Sequence, residues 1–308
     1  MPAPKASRSS ARFPSRLAGP ALALVLLASP SLGWAEDGAS GAAVSSLATT
    51  TDGELLKVQG GDLYASRDQG RSWIELALPA EATGRIDEVA VAAGPDEALY
   101  ASGPDVGVFQ SKDDGKSWTN VGGTLPSLHV TAFAPHATEA STLYAFIPEK
   151  GIYRSRDAGG EWTMMARGPA PREGALLDQM DAVVDNVRQF LHTDMEGSME
   201  SGWLYAATSE GLRVTMDCFC LWRETGEFPG TVEAVAADPT HPEDVYAAAG
   251  AELFKSADGG RTFSTAAAPE TPVTAMTVQA GGLVYAGTED GAVLVSRDKA
   301  AGWTRADE

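Results

Sequence analysis

The sequence contains little cysteine and little histidine, which limits the chemistry open to it. Its 308 residues include two cysteines and four histidines. Two cysteines allow at most one disulfide, so the fold must depend on its apolar core. They form no Cys-x-x-Cys pair, which disfavours a zinc site. No arrangement typical of a Ser-His-Asp triad accompanies the histidines, which are His129, His136, His192 and His241.

Basic residues are also scarce. The chain has 23 Lys and Arg against 42 Asp and Glu, and its formal net charge is -19. A surface of this sign repels phosphate backbones and anionic lipid headgroups. We therefore expect no nucleic-acid partner and no electrostatic membrane binding, and we interpret the acidity as an aid to solubility.

Long apolar runs are absent beyond the N-terminal region. Four basic residues precede an apolar segment from Leu17 to Leu27, and the small residues Gly33 and Ala35 follow. This order is typical of a secretory signal peptide cut after Ala35, with a retained N-terminal anchor as the alternative. The apolar segment is too short for a permanent membrane span. We predict a signal peptide at 1–35, one mature domain at 36–308, and a periplasmic or secreted location.

One short phrase recurs six times along the predicted mature chain. Each copy has Ser or Thr, then Asp two residues later, then an aromatic residue five after the Asp. The starts are 40 to 60 residues apart, which indicates a repeat architecture. The copies are SRDQGRSW at 66, SKDDGKSW at 111, SRDAGGEW at 155, TMDCFCLW at 215, SADGGRTF at 256 and SRDKAAGW at 296.

The phrase is suited to a tight turn between two strands. The Asp oxygen can accept hydrogen bonds from turn N–H groups, and a Gly two residues later supplies a positive φ. The aromatic residue then begins the return strand and packs in apolar surroundings. We assign structural, non-catalytic roles to Asp68, Asp113, Asp157, Asp217, Asp258 and Asp298, and packing roles to Trp73, Trp118, Trp162, Trp222, Phe263 and Trp303.

Alternating apolar strands flank every copy of the phrase. A segment such as TVEAVAAD precedes a Leu-Tyr-Ala-like strand, and two further strands enclose the turn. Four short strands per repeat of about 40 residues are typical of propeller blades. The sequence therefore predicts an all-β, six-bladed β-propeller of four-stranded antiparallel blades, with seven blades as the alternative. We expect a monomer whose ring closes by packing the first blade on the last, without a swapped strand.

The repeated phrase resembles the BNR or Asp-box motif, Ser-x-Asp-x-Gly-x-x-Trp. That motif is found in sialidases, sortilin-type receptors, xyloglucanase-type glycosidases and photosystem II assembly-factor propellers. The resemblance covers essentially the whole predicted mature chain and implies the fold, but it does not imply one activity. It also implies that the motif lies away from the face where the enzymes keep their sites. Two copies depart from the motif, at Phe219 and Ala300, and we expect distorted turns there.

An insertion precedes the fourth blade at about 168–185. Apolar residues at helical spacing within it predict a short amphipathic helix. Such a helix would cover its own apolar side against the propeller, or alternatively dock a partner or cap the channel.

Soft metal ligands are concentrated in the fourth repeat. Propeller topology should place an extended loop between its first two strands beside the turn that holds both cysteines. Thiolate, thioether and imidazole groups select ions such as Cu(I). The predicted copper site comprises Cys218, Cys220, Met195, Met199 and His192. A disulfide between the cysteines and two free thiols are the alternatives.

These features favour a non-catalytic role. A sialidase would need an arginine cluster, whereas five arginines of the predicted mature chain lie inside the repeated turns. The main hypothesis is an exported scaffold that binds an envelope or secreted protein, or a glycan, and requires no cofactor. One alternative is a glycoside hydrolase with two carboxylates. The other is a copper-binding accessory protein.

Overall fold

The described part of the chain folds into 24 β-strands. The computed structural model describes residues 41–94, 97–168, 186–198, 202–216 and 221–308. The first three blades contain β1 (Val44–Thr49), β2 (Leu55–Gln59), β3 (Asp62–Ser66), β4 (Ile74–Leu76), β5 (Glu88–Val91), β6 (Leu99–Gly103), β7 (Gly107–Ser111), β8 (Thr119–Asn120), β9 (Ala132–Pro135), β10 (Leu143–Ile147), β11 (Gly151–Ser155) and β12 (Thr163–Ala166). The last three contain β13 (Val187–Thr193), β14 (Trp203–Thr208), β15 (Gly211–Thr215), β16 (Trp222–Thr225), β17 (Val232–Asp238), β18 (His241–Ala249), β19 (Glu252–Ser256), β20 (Ser264–Ala266), β21 (Val273–Gln279), β22 (Leu283–Thr288), β23 (Val293–Ser296) and β24 (Thr304–Arg305).

These strands form six antiparallel sheets of four consecutive strands each. The first strands of neighbouring sheets contact one another in a ring, from β1 through β5, β9, β13, β17 and β21 back to β1. The sequence-based prediction of a six-bladed β-propeller is therefore confirmed. Ring closure by packing is confirmed as well, because β1 to β4 and β21 to β24 form separate, complete sheets.

The apolar core lies between adjacent blades. Each sheet is covered on both faces by its neighbours, so successive residues of one strand enter different clusters. In β6, Leu99 and Ala101 pack in the cluster shared with the first blade, whereas Tyr100 packs in the cluster shared with the third. The recurring Leu-Tyr-Ala strands are the packing units between the blades for this reason.

Two predicted segments lie outside the described residues. These are the signal peptide at 1–35 and nearly all of the insertion at 168–185, including its predicted helix. Within the described part of the chain, no helix has the length and apolar character needed to cross a bilayer.

Candidate functional site

The repeated turns and the loops between first and second strands share one end of the propeller, which we call the box end. In the third blade, the N–H of Ala158 in the turn donates to the Ser141 carbonyl at 2.8 Å. In the fifth blade, the Gly259 N–H donates to the Glu243 carbonyl at 2.9 Å. The two sets of loops therefore support each other.

The repeated turns are closed by local hydrogen bonds to the Asp carboxylate. The Ser66 hydroxyl donates to Asp68 Oδ1 at 2.8 Å and accepts the Gly70 N–H at 2.8 Å. Asp68 also accepts the N–H of Ser72 at 2.9 Å and its hydroxyl at 2.6 Å. The Ser and backbone bonds recur around Asp113, Asp157, Asp258 and Asp298.

These bonds favour the ionised form of the carboxylates. Hydrogen bonds from the hydroxyl and N–H of Ser117, together with the Ser111 hydroxyl, lower the pKa of Asp113 to about 2. Five carboxylates are thus held within turns, where they stabilise the backbone. Asp217 lies outside the described residues.

The turn of the sixth blade differs from our expectation. We predicted a distortion where Ala300 replaces glycine, but Ala300 adopts a positive φ of 62°. Its N–H still donates to Ser296 Oγ at 2.9 Å. The turn therefore keeps the shared geometry, because alanine occupies the left-handed region at a modest cost in free energy. Phe219, the other departure, lies outside the described residues.

The aromatic residues of the repeated phrase connect each blade to the preceding one. The indole Nε1 of Trp118 donates to the Ala77 carbonyl at 3.1 Å, just past the outer strand of the first blade. Trp162 and Trp303 make equivalent bonds of 2.9 and 2.7 Å to preceding blades. The others pack into clusters between blades; they are Trp73, Trp222 and Phe263.

Only part of the predicted copper site is described. Met199, Cys218 and Cys220 lie outside the described residues. Met195 packs against an apolar cluster that contains Trp203, between the fourth and fifth blades. Among the described residues, no group of three or more His, Cys, Asp and Glu is placed to hold a metal ion. Copper binding therefore stays a prediction.

His192 is buried and has a second histidine beside it. The ring centroids of His192 and His136 are 3.9 Å apart, and His192 also stacks on Tyr144. The Nδ1 of His192 accepts the Ala137 N–H at 3.1 Å, and the Nδ1 of His136 accepts turn N–H groups. These Nδ1 lone pairs are already engaged, so a neutral ring carries its proton on Nε2.

An axial cavity of about 480 Å³ lies within the ring of first strands. Its lining runs from the middle of these strands into the loops that follow them, so the cavity lies toward the box end. Its volume falls in the range typical of small-ligand pockets. Every blade contributes apolar wall residues, such as Ala48, Ala90, Phe133, Phe190, Ala236 and Met276.

All charged side chains that line the described cavity are acidic, apart from the histidines. They are Glu88, Glu97, Asp194 and Asp238, and neither Lys nor Arg is among the lining residues. Asp238 Oδ1 accepts the N–H and hydroxyl of Thr240 at 2.8 and 2.7 Å. Asp194 is exposed. The cavity therefore favours cationic or neutral groups and disfavours anions.

Glu88 lies deepest among these acids. Its carboxyl group accepts the N–H of Phe133 in the next blade and a hydrogen bond from Ser102, yet burial is the dominant influence and raises its pKa well above the ordinary value of 4.5. The neighbouring charge of Asp87 acts in the same direction. Glu88 is not among the site residues predicted from the sequence.

The bond made by Glu88 belongs to a recurring set. Ser46 Oγ accepts the N–H of Val89 at 3.2 Å, and Gln189 Oε1 accepts the N–H of Val235 at 2.8 Å. Like Glu88, both residues lie on a first strand and bind the first strand of the next blade. We call these contacts inter-blade bonds. A structural role thus accounts for a polar side chain at this position.

Comparison with known proteins supports the fold. No family model and no curated protein matches the sequence. Among solved structures, the GH74 xyloglucanase from Xanthomonas campestris is 17% identical with a TM-score of 0.58, covering 87% of this chain and 55% of its own. The extracellular domain of the putative one component system BT4673 from B. thetaiotaomicron is 16% identical with a TM-score of 0.55, covering 87% of this chain and 33% of its own. YCF48 bound to D1 peptide is 15% identical with a TM-score of 0.53, covering 83% of this chain and 93% of its own.

These similarities concern architecture alone, since the identities are low. The chain spans about half the length of the GH74 structures that it matches.

Proposed function

We propose that this chain is an exported, non-catalytic propeller that binds a segment of a partner protein at the axial cavity. The observation that carries the proposal is the cavity itself. All six first strands build it, and its wall combines apolar residues with acidic groups. It lies toward the box end, where hydrogen bonds join the repeated turns to the loops between first and second strands. Pre-formed sites of this kind suit binding because little ordering is needed on association.

Three of the four acids that line the cavity each make a hydrogen bond that supports the fold. Asp238 is bonded to Thr240, Glu97 Oε1 accepts the Thr51 N–H at 2.7 Å, and Glu88 makes an inter-blade bond. A carboxylate engaged in this way is poorly suited to proton transfer. This occupancy favours binding over catalysis.

One observation favours the alternative of a glycoside hydrolase. A half-buried carboxyl group with a raised pKa, facing a cavity, is a candidate general acid, and Glu88 has these properties. Its register weighs against that role, because Ser46 and Gln189 make the same contact without being acids.

The solved structures offer a limited parallel. YCF48 was solved with D1 peptide and is covered to 93% by the match, whereas only 54–55% of the matched GH74 enzymes is covered. The parallel is one of fold, so it makes peptide binding a reasonable proposal for this chain. Export is proposed from the sequence features of residues 1–35.

A peptide array tests the proposal. The wild-type protein and two variants that fill the cavity, Ala90→Phe and Thr277→Phe, are applied to arrayed random heptapeptides. The two substitutions lie in different blades, so one can report if the other unfolds. Ala268→Phe is the matched control, because Ala268 is exposed between β20 and β21, at the opposite end.

We expect a reproducible set of peptides that binds the wild type and the control but neither folded cavity variant. An array without binders, or binding that is unchanged in both cavity variants, would overturn the proposal. The enzyme alternative is tested on a glycan panel: hydrolysis that disappears in Glu88→Gln would establish it instead.

A further inference from the structure

The acids of the axial cavity lie at two different depths. Asp194 is four residues beyond Phe190 of β13, and Asp238 is three beyond Val235 of β17, in both cases toward the box end. Phe190 and Val235 hold the same register, since each pairs with an Ala of its blade's second strand. At about 3.3 Å per residue, the two acids lie roughly 10–13 Å above that level.

Glu88 lies on the other side of that level. It precedes Val89, which pairs with Ala101 in the equivalent register. The deep acid is therefore separated from the acids of the mouth by several residues of strand. Burial raises the pKa of Glu88, which lies at a different level from the acids of the mouth.

The mouth acids come from three separate blades. Glu97 belongs to the second blade, Asp194 to the fourth and Asp238 to the fifth; we call them the acid rim. Each keeps at least one carboxylate oxygen without a hydrogen bond to the described residues, since Asp194 makes none and the other two use a single oxygen. The ammonium group of Lys299 lies outside the lining and is paired with Asp244 at 2.7 Å.

The wall below the acid rim is mostly apolar, with Gln189 and Thr277 among its few polar side chains. Small and aliphatic residues such as Ala90, Ala236 and Val278 leave space there, with Phe133 and Phe190 between them. An apolar side chain that enters this space gains free energy by leaving water. The cavity thus presents two kinds of surface in succession, an acidic mouth and an apolar interior.

From this arrangement we infer that the site recognises a protein segment in which an apolar side chain enters the cavity while an adjacent Lys or Arg pairs with the acid rim. The inference rests on the proposed function, because it names the class of segment bound at that same cavity. Charge complementarity selects the cation, and the apolar wall selects its neighbour.

The test uses heptapeptides bound in the array, measured by fluorescence anisotropy. We expect the bound set to be enriched in Lys or Arg next to a large apolar residue. Replacing that Lys with norleucine keeps the stem and removes the charge, and should weaken binding about tenfold. Replacing the apolar residue with Ala should weaken it by a similar factor.

Variants of the protein provide the complementary test. Asp194→Asn and Glu97→Gln should each weaken the Lys peptide about twofold to fivefold, as expected for partly exposed ion pairs, and leave the norleucine peptide unchanged. Glu252→Gln is the matched control, because Glu252 is an exposed acid at the start of β19, at the other end. Asp194 is exposed, so its substitution should not prevent folding.

The outcomes separate this inference from the proposed function. Peptides that bind the wild type but neither cavity-filling variant, and that bind equally well with Lys or norleucine, would overturn the inference and leave the proposed function standing. The inference is also overturned if the two rim variants bind the Lys peptide as the wild type does. An array without binders would overturn both.

Discussion

Substitution of Glu88 distinguishes a structural acid from a catalytic one. Glu88→Gln keeps an oxygen that can accept the Phe133 N–H but cannot ionise, and it reproduces the group that Gln189 uses in the fourth blade. Glu88→Ala removes the acceptor. A structural role predicts that Gln replaces Glu without loss of stability, whereas Ala does not.

The expected loss follows from the inter-blade bond. A buried N–H left without an acceptor costs about 1–3 kcal/mol of unfolding free energy. For a domain of this size, each kcal/mol shifts the Tm by about 2 °C, at the lower end of the usual range. Glu88→Ala should therefore lower the Tm by roughly 2–6 °C.

The pH dependence distinguishes Glu88→Gln from the wild type. Burial raises the pKa of Glu88 in the folded protein above its ordinary value of 4.5. The contribution of this group to stability is then fully present below pH 4.5 and is lost as the pH rises through the raised pKa. The glutamine does not titrate. The Tm of the variant should therefore rise relative to that of the wild type as the pH increases from 5 to 8.

The assay is thermal unfolding followed by circular dichroism at several pH values between 5 and 8. Gln189→Glu is the reciprocal variant, because it places an acid at the equivalent position of another blade; it should lose stability as the pH rises. A Glu88→Gln protein that is less stable than the wild type at pH 8, by a margin that grows with pH, would show that the ionised carboxylate stabilises the fold. The reasoning would then be wrong.

Three further predictions concern the repeated turns. Gly159→Ala should destabilise the protein, because φ is 95° and the new Cβ would lie 2.6 Å from the Val121 Cβ; urea unfolding measures the loss, and an unchanged midpoint would contradict it. The stability contributed by Asp113 should be fully present above its ordinary pKa of 3.8 and be lost as the pH falls through about 2, where the carboxylate of the folded protein protonates. The wild type should therefore exceed Asp113→Asn in unfolding free energy most above pH 4 and least near pH 2. Tyr205→Phe should cost about 0.5–1.5 kcal/mol in chemical denaturation, because the buried hydroxyl donates to the Gly259 carbonyl at 2.9 Å; equal stability of the two proteins would show that this bond contributes nothing.

Features formed within one repeat could be predicted from the sequence. The bonds of each turn join residues two to four positions apart, as between Ser66 and Asp68, so the phrase itself carries the information. Alternation and turn spacing predicted the blades for the same reason. The distortion expected at Ala300 did not occur, since its N–H bond to Ser296 survives at a positive φ. A glycine in a motif marks a conformational preference, which alanine can also satisfy at some cost.

The axial cavity could not be predicted in this way. Its wall combines residues from six blades, and its depth depends on how first strands pack around the axis. A signal for Glu88 was nevertheless present, because aligning the first strands would have placed an acid beside Ser46 and Gln189 in otherwise apolar segments. That alignment would have indicated a structural contact, but the raised pKa depends on burial that only the three-dimensional packing reveals.

The acids of this protein divide according to whether they recur. Asp68 and its counterparts are repeated in every described turn, and their oxygens are held by backbone and hydroxyl groups of the same turn. Asp194 and Glu97 lie outside the repeated phrase, and at the mouth of the cavity each keeps at least one carboxylate oxygen without a hydrogen bond to the described residues. A contact that stabilises one blade stabilises all of them, so it recurs, whereas recognition of a partner at the axis requires an asymmetric set of groups. Departure from the repeat alone does not establish function, as Glu88 shows; the departures that also leave free carboxylate oxygens at the mouth are the ones from which we infer recognition.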